Sequence, residues 1–251
     1  MGNLRNPSIL AAMAGITDGD FARHCLLKGG AGMVTIGGYS IGKEMITASK
    51  QVTQRGRKEF ILRVGKEAND ILREAHIVST LTKLIINLRL NSLKVTRNFV
   101  QKFEDLINIS PIIEINAHCR QKEILHIGGG QSLLQRFDVL TNIIKIFHSK
   151  DFKVSLKVRG NAVHPDILIP QVNQWQLDYL HIDSYKTGEE GTDLELLELY
   201  SNEINVPLIG NNSVVDKESA QAILDTGIQY FSVARAARMN PSIFKTLVKN
   251  Y

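Results

Sequence analysis

Pro111-Ile112-Ile113-Glu114-Ile115-Asn116-Ala117-His118-Cys119 is an apolar run that ends in an asparagine and a thiol, and Gly128-Gly129-Gly130-Gln131-Ser132-Leu133-Leu134 follows it at a short distance. The first stretch reads as a strand that stops and enters a flexible loop. The glycines then lead into an amphipathic segment, read as a helix over 131–148. Strand, polar strand end, loop and helix make one β/α unit. Polar residues at the C-terminal end of such a strand are where α/β barrels place their chemistry.

The same unit recurs outward from this point. Strands are expected at 8–13, 32–36 (closed by Gly37-Gly38), 60–64, 112–116, 152–158, 179–183, 207–210 and 230–234. Helices are expected from Asp18 to Gly29-Gly30, then over 131–148, 166–174, 193–202, 216–225 and 241–249. Pro207 starts a strand and Pro241 starts a helix, both tolerated positions. Residues 39–58 are polar and basic and read as a long loop with at most a short helix; 66–90 read as one or two helices and 91–109 as another. Continuously apolar strands with helices between them imply parallel strands covered on both faces. Eight such units predict an α/β fold, a (β/α)8 TIM barrel, over 1–251 as one domain. An open doubly wound sheet is the weaker reading, because no G-x-G-x-x-G follows the first strand.

Bulk properties agree with a globular enzyme-sized domain. The chain has 251 residues, 43% hydrophobic and 22% charged. Its formal net charge of +5 permits a phosphate-bearing ligand or RNA without demanding one. Two cysteines, Cys25 and Cys119, are too few for a disulfide framework, which points to a reducing, cytoplasmic setting. The N-terminus lacks the apolar run of a signal peptide. The stretch from Ile77 to Leu90 is broken by Lys83 and Arg89 and is too short to span a bilayer, so no membrane partner is expected. Nothing in the composition fixes an oligomeric state.

Three groups of residues stand where barrel chemistry would be. Gly210-Asn211-Asn212-Ser213 follows the seventh strand and Ala234-Arg235-Ala236-Ala237 the eighth. Barrels often bind phosphate at these two loops, where an arginine can add a charged fork; the bland alternative is two ordinary turns. Lys157 sits late in Phe152-Lys153-Val154-Ser155-Leu156-Lys157-Val158. A buried lysine should meet an anion, either a ligand or a carboxylate such as Glu114. A lone cysteine is more often a small buried hydrophobe, but Cys119 follows a strand-end Asn and precedes a glycine loop. It could serve as nucleophile or general acid. His24, His76, His126 and His148 are expected at the surface.

Taken together these stretches resemble the flavin-dependent tRNA-dihydrouridine synthases and, more broadly, the FMN barrels that include dihydroorotate dehydrogenases. Leu10-Ala11-Ala12-Met13-Ala14-Gly15-Ile16-Thr17-Asp18 is similar to the family's first strand and flavin-packing loop. Glu114-Ile115-Asn116-Ala117-His118-Cys119, with its glycines nine residues beyond the Cys, is similar to the catalytic-cysteine loop. Pro207-Leu208-Ile209-Gly210-Asn211 and Val233-Ala234-Arg235-Ala236-Ala237-Arg238-Met239-Asn240-Pro241 are similar to the FMN-phosphate end. The match runs in order from 8 to 244, with 66–110 poorly matched. The resemblance implies bound FMN, reduced by NADPH or NADH, and hydride delivery to an activated pyrimidine. Cys119 would protonate the ring as general acid, Asn116 would face substrate or flavin, and Lys157 would contact the flavin. Ala12, Met13, Ala14, Arg63, Asp183, Gly210, Asn211, Asn212, Ala234 and Arg235 would complete the cofactor site.

Three departures bear on substrate. Arg63 stands where the family carries Gln in the third strand, and adds fixed positive charge. Arg120 replaces the Pro after the cysteine, and Asp183-Ser184-Tyr185 replaces His-Gly-Arg at the end of the sixth strand. Asp183 reads equally as a site carboxylate or a cap. The family also carries a C-terminal helical domain that helps grip tRNA, and no room for it is expected before Tyr251. Lys50, Arg55, Arg57 and Lys58 could touch phosphates, although a charge run is usually a solvated face. Three readings follow. The first is reduction of uridine in tRNA. The second is an FMN oxidoreductase of a small pyrimidine-like or unsaturated metabolite, and the third a non-catalytic FMN- or phosphate-binding relative.

Overall fold

In the computed structural model, which describes residues 6–186, 188 and 190–248, eight parallel strands close into a barrel in strict sequence order. They are β1 (Ser8–Leu10), β2 (Met33–Ser40), β3 (Leu84–Arg89), β4 (Ile112–Ala117), β5 (Lys153–Arg159), β6 (Tyr179–Asp183), β7 (Leu208–Asn211) and β8 (Tyr230–Val233). β8 pairs back onto β1 through Ser8–Phe231, Ile9–Ser232 and Leu10–Val233, which closes the ring. The helices are α1 (Gly19–Leu27), α2 (Lys43–Gln54), α3 (Glu67–His76), α4 (Leu93–Leu106), α5 (Lys122–His126), α6 (Phe137–His148), α7 (Pro165–Gln174), α8 (Leu194–Glu203), α9 (Lys217–Asp225), α10 (Arg235–Met239) and α11 (Phe244–Leu247). This is the (β/α)8 barrel that the alternating pattern predicts. No helix among the described residues is long and apolar enough to cross a membrane.

The third strand is not where the sequence reading puts it. Phe60-Ile61-Leu62-Arg63-Val64 is irregular backbone, with Ile61 42% and Val64 55% exposed. Its apolar residues do not share a buried environment; Phe60 packs on the Tyr39 ring, 4.9 Å between centroids, and Leu62 is buried separately. β3 lies instead at Leu84-Ile85-Ile86-Asn87-Leu88-Arg89, all buried, registered on β2 through Val34–Leu84 and on β4 through Ile85–Ile112. Arg89 closes this strand, buried against a carboxylate.

Other boundaries shift for local reasons. β1 stops at Leu10, and 11–14 form the loop above it. β2 continues through Gly37-Gly38 to Ser40 across a bulge between Gly37 and Tyr39. The expected 39–58 loop contains α2, whose Met45, Ala48 and Val52 form a buried helical stripe among polar neighbours. The expected helix over 131–148 is a 3₁₀ turn, Gly130–Gln135, and α6, separated by the non-helical Arg136. The last segment holds α10 and α11 rather than one helix from Pro241, and Lys249 lies outside the described residues.

Alternation along each strand separates two cores. Outward-facing Leu10, Val34, Ile86, Ile113, Ile115, Leu156 and Ile182 pack under the helices. Inward-facing Ile9, Met33, Ile85, Ile112 and Ile209, with Tyr179 and Tyr230 beside them, form a dry plug near the strands' N-terminal ends. Each such side chain contributes about 1.5–3 kcal/mol by leaving water. Above the plug the inner face turns polar: Thr35, Asn87, Glu114, Ser155, His181 and Ser232 are all 0–1% exposed. The site is built on this polar layer.

Candidate active site

Glu114 is the centre of the polar layer. Its Oε1 accepts from Asn87 Nδ2 at 2.6 Å, and its Oε2 accepts from His181 Nδ1 at 2.7 Å and Ser155 Oγ at 3.4 Å. Burial pushes the Glu114 carboxyl up, but His181, Lys157 and Asn87 outweigh it and hold the group at about 2. Burial and the Lys157 charge push His181 down to about 4 against the pull of Glu114, so its ring is neutral. A neutral ring that donates from Nδ1 must accept at Nε2, where Ser232 Oγ stands at 2.7 Å and Asn211 Nδ2 at 3.4 Å. Ser232, His181 and Glu114 thus stand in the order of a hydrolytic triad. The serine is 1% exposed and the other two 0%, so the chain braces β4, β6 and β8 rather than meeting a substrate.

One step up, at the strand ends, charge accumulates. Lys157 is 4% exposed, and none of the salt bridges among the described residues includes it. Burial pushes its ammonium down, with Glu114 and Asp183 pulling the other way. The lysine is therefore not the partner of a single carboxylate; it stands between two, with donors to spare. Asp183 Oδ2 meets His118 Nε2 at 2.5 Å, so the carboxylate is neither a helix cap nor free. Burial, together with the Lys157 and Arg159 charges, lowers the His118 pKa against the pull of Asp183, whereas His118, Lys157 and Arg159 hold Asp183 below its ordinary value despite burial. Arg159 stacks over the Tyr185 ring at 4.5 Å.

Asn116 fixes the turn that carries the thiol. Its Nδ2 donates to Asn87 Oδ1 at 2.9 Å, and its Oδ1 accepts from the backbone of His118 at 3.2 Å and Cys119 at 2.9 Å. The Cys119 carbonyl accepts from Gln131 N at 2.9 Å, which ties the glycine loop to the strand end. The Cys119 side chain is 8% exposed and packs with Met45, Ala48, Val52 and Ile124 of α2 and α5. Beside it Arg89 donates to Glu59 at 2.5 Å, both side chains nearly fully buried, while the Arg89 Nε has no partner. Burial disfavours the Arg89 charge, but Cys119 and Glu59 outweigh it and raise its pKa.

On the opposite side, a cavity of 630 Å³ opens over β7 and β8, bordered by Tyr185, Asn211, Asn212, Ser232, Ala234 and Arg235. The expected residues Asn211, Asn212, Ala234 and Arg235 meet there. Gly210 does not: it faces outward, where a Cβ would lie 2.5 Å from Ile223, so it serves close packing of α9. Ala12, Met13 and Ala14 are half-buried in the loop above β1, pinned by Met13 N to Thr17 Oγ1 at 2.9 Å. Arg63 lies outside any strand; its side chain is 61% exposed and pairs with Asp70 of α3. The third strand does bring an arginine to the mouth, and it is Arg89. Sequence reasoning missed His181 and gave His118 no role. The alternation Leu180-His181-Ile182-Asp183 carries the signal, since it turns both polar residues inward.

Comparisons with known proteins agree with this architecture. The pattern of the family described as dihydrouridine synthase (Dus) matches residues 9–165. An uncharacterized protein of Methanocaldococcus jannaschii is 32% identical over 230 residues, covering 90% of this chain and 87% of its own. The tRNA-dihydrouridine synthase B of Escherichia coli (strain K12) is 25% identical over 258 residues, covering 97% of this chain and 72% of its own. Among solved structures, the tryptophan synthase complex of Pyrococcus furiosus superposes with a TM-score of 0.62 at 14% identity, covering 96% of both chains. FabK from Thermotoga maritima gives 0.54 at 14% identity, and this chain spans 59% of its length. At such identities the structural likenesses speak to the barrel alone.

Proposed function

The chain belongs to the dihydrouridine synthase family, and we propose that it is a flavin-dependent oxidoreductase that reduces the C5=C6 bond of uridine in tRNA, with FMN as cofactor and NADPH or NADH as reductant. The observation that carries this reading is the placement of Lys157. Its buried ammonium, without an ion pair among the described residues, stands at the same barrel end as the Asn116–Cys119 turn and the β7–β8 cavity. A buried cation with spare donors at the same barrel end as a roomy cavity fits a phosphorylated cofactor with an electron-rich ring. Lys157, the 12–14 loop, Asn211, Asn212, Ala234 and Arg235 would hold FMN. When bound, it supplies hydride from its reduced N5 to C6 of the pyrimidine.

The chain's own residues do the remainder. Cys119 holds the proton delivered to C5, as a general acid. Asn116 fixes the backbone on both sides of His118, so the thiol stays at the end of β4. Lys157 offsets negative charge that develops at the mouth, and the neutral His181 with ionised Glu114 keeps it in place. The test is incubation of the FMN-loaded protein with unmodified tRNA and NADPH, followed by nuclease digestion and mass analysis for dihydrouridine. Product from the wild-type protein, and none from Cys119→Ala at equal flavin content, is the expected result. A protein that takes up no FMN defeats the proposal.

The His118–Asp183 pair favours a second reading. It sets a carboxylate-held imidazole at the mouth, suited to a small pyrimidine-like metabolite with its own polar substituents. FMN uptake with NADPH oxidation on such a compound, and no product on tRNA, would select it.

A further inference from the structure

The chain's charge is concentrated on one side of the barrel mouth. Residues 42–58 and 118–127 carry seven lysines and arginines against two acids, a net of +5. That equals the net charge of all 251 residues, so the remainder is neutral overall. These two segments are α2 with the first part of the strap, residues 55–66, that joins it to α3, and the Cys119 turn with α5. They pack on each other through Met45, Ala48, Val52, Cys119 and Ile124.

Both acids are engaged: Glu123 accepts both Arg55 Nε and Nη2 at 2.7 Å, and Glu44 accepts from Asn91 at 3.3 Å. Lys43, Lys50, Arg57, Lys58, Arg120 and Lys122 are exposed. A groove of 690 Å³ runs between α2 and α5, with Lys43 and Lys122 on its lips. The strap is held rather than loose. Arg55 ties its start to α5, the buried Glu59–Arg89 pair ties its middle to β3, and the Arg63–Asp70 pair ties its end to α3. A fixed row of free cations at the edge of a reactive mouth meets a polyanion with little ordering cost. No large aromatic side chain is exposed on these segments, so the face suits phosphates rather than stacked bases.

We infer that the α2–strap–α5 face is an RNA-backbone docking surface, along which a phosphate chain is led to the Cys119 side of the mouth. The inference deepens the tRNA reading and rests on it for the identity of the partner.

The experiment measures binding of unmodified tRNA by fluorescence anisotropy across a salt series, with every protein in the Cys119→Ala background so that turnover plays no part. The combined Lys50→Ala, Arg57→Ala, Lys58→Ala variant should weaken binding about tenfold or more near 0.1 M salt and flatten the log K against log salt slope by about 2. Lys83→Ala, Lys145→Ala, Lys153→Ala, which removes exposed lysines at the opposite end of the barrel, should leave both unchanged. Circular dichroism and FMN uptake confirm that each variant is folded. Equal weakening by the two triple variants, no effect of the first, or retention on anionic vesicles without RNA binding would overturn the inference. Tight, patch-dependent RNA binding in a protein whose Cys119 form makes no dihydrouridine would keep the surface and remove only the catalytic proposal.

Discussion

Gly130 lies directly beneath Cys119: a Cβ built on the glycine would sit 2.4 Å from the Cys119 carbonyl oxygen and 3.0 Å from its Cβ. The glycine also holds φ at +56°, a left-handed conformation that costs other residues about 1–2 kcal/mol. Two independent constraints therefore select glycine where the loop returns under the thiol. Gly130→Ala is expected to cost about 2–3 kcal/mol in urea unfolding. It should also displace Cys119 enough to lower dihydrouridine formation at least tenfold. A variant with wild-type stability would show that the loop rests elsewhere.

Acid should weaken the barrel in two stages. His181 is held neutral down to about 4, whereas an unfolded histidine takes up a proton near 6.5. The unfolded state then binds more protons as pH falls through that interval, and stability drops with it. Glu114, held at about 2 against an ordinary 4.5, adds a second loss between those values. Urea midpoints should be flat from pH 7 to 8, fall below 6.5, and continue falling below 4.5. His181→Gln should shrink the first stage to the share left by His118, whose pKa is also lowered in the folded protein, and keep the second.

The barrel was legible because its signal repeats: apolar runs with glycine or polar ends recur eight times, and one misplaced strand does not disturb the count. The misplacement itself has a physical cause. Phe60-Ile61-Leu62 is as apolar as Leu84-Ile85-Ile86, and only tertiary burial separates them. Arg89 ends β3 because Glu59, thirty positions away, supplies the countercharge, a pairing no local pattern shows. The positions of Asn116, Cys119 and Lys157 at the C-terminal ends of β4 and β5 were legible, since an apolar run leads into each. The His118–Asp183 contact joins β4 to β6 across β5, and a linear reading gives neither residue its partner.

Lys157 separates a cofactor role from a structural one. If its ammonium only balanced Glu114, Lys157→Met would raise the Glu114 pKa and move the acid transition in urea unfolding, with FMN uptake intact. The proposal expects FMN affinity, read by quenching of flavin fluorescence, to fall at least tenfold, about 1.4 kcal/mol. Circular dichroism and a urea midpoint matching the parent protein at neutral pH separate loss of the ammonium from collapse of the mouth. Lys157→Arg should recover part of the affinity, since the charge is kept while the donor geometry changes.

The Glu59–Arg89 pair should behave as buried pairs do, with each partner more costly to remove alone than together. Both side chains are nearly fully buried, at 2% and 6% exposure, and bond at 2.5 Å. Glu59→Gln leaves the Arg89 guanidinium uncompensated beneath the strap and is expected to cost about 3–5 kcal/mol. Arg89→Met leaves the carboxylate stranded at similar cost. The double variant removes both desolvated charges and should lose much less than the sum, with a coupling energy of several kcal/mol in a double-mutant cycle read by thermal and urea unfolding. Because Glu59 N lies where a Cβ on Gly15 would come within 2.5 Å, the strap is also seated by backbone contact. The double variant is therefore expected to fold with the strap in place, and additive losses from the two single substitutions would show that the pair does not hold it.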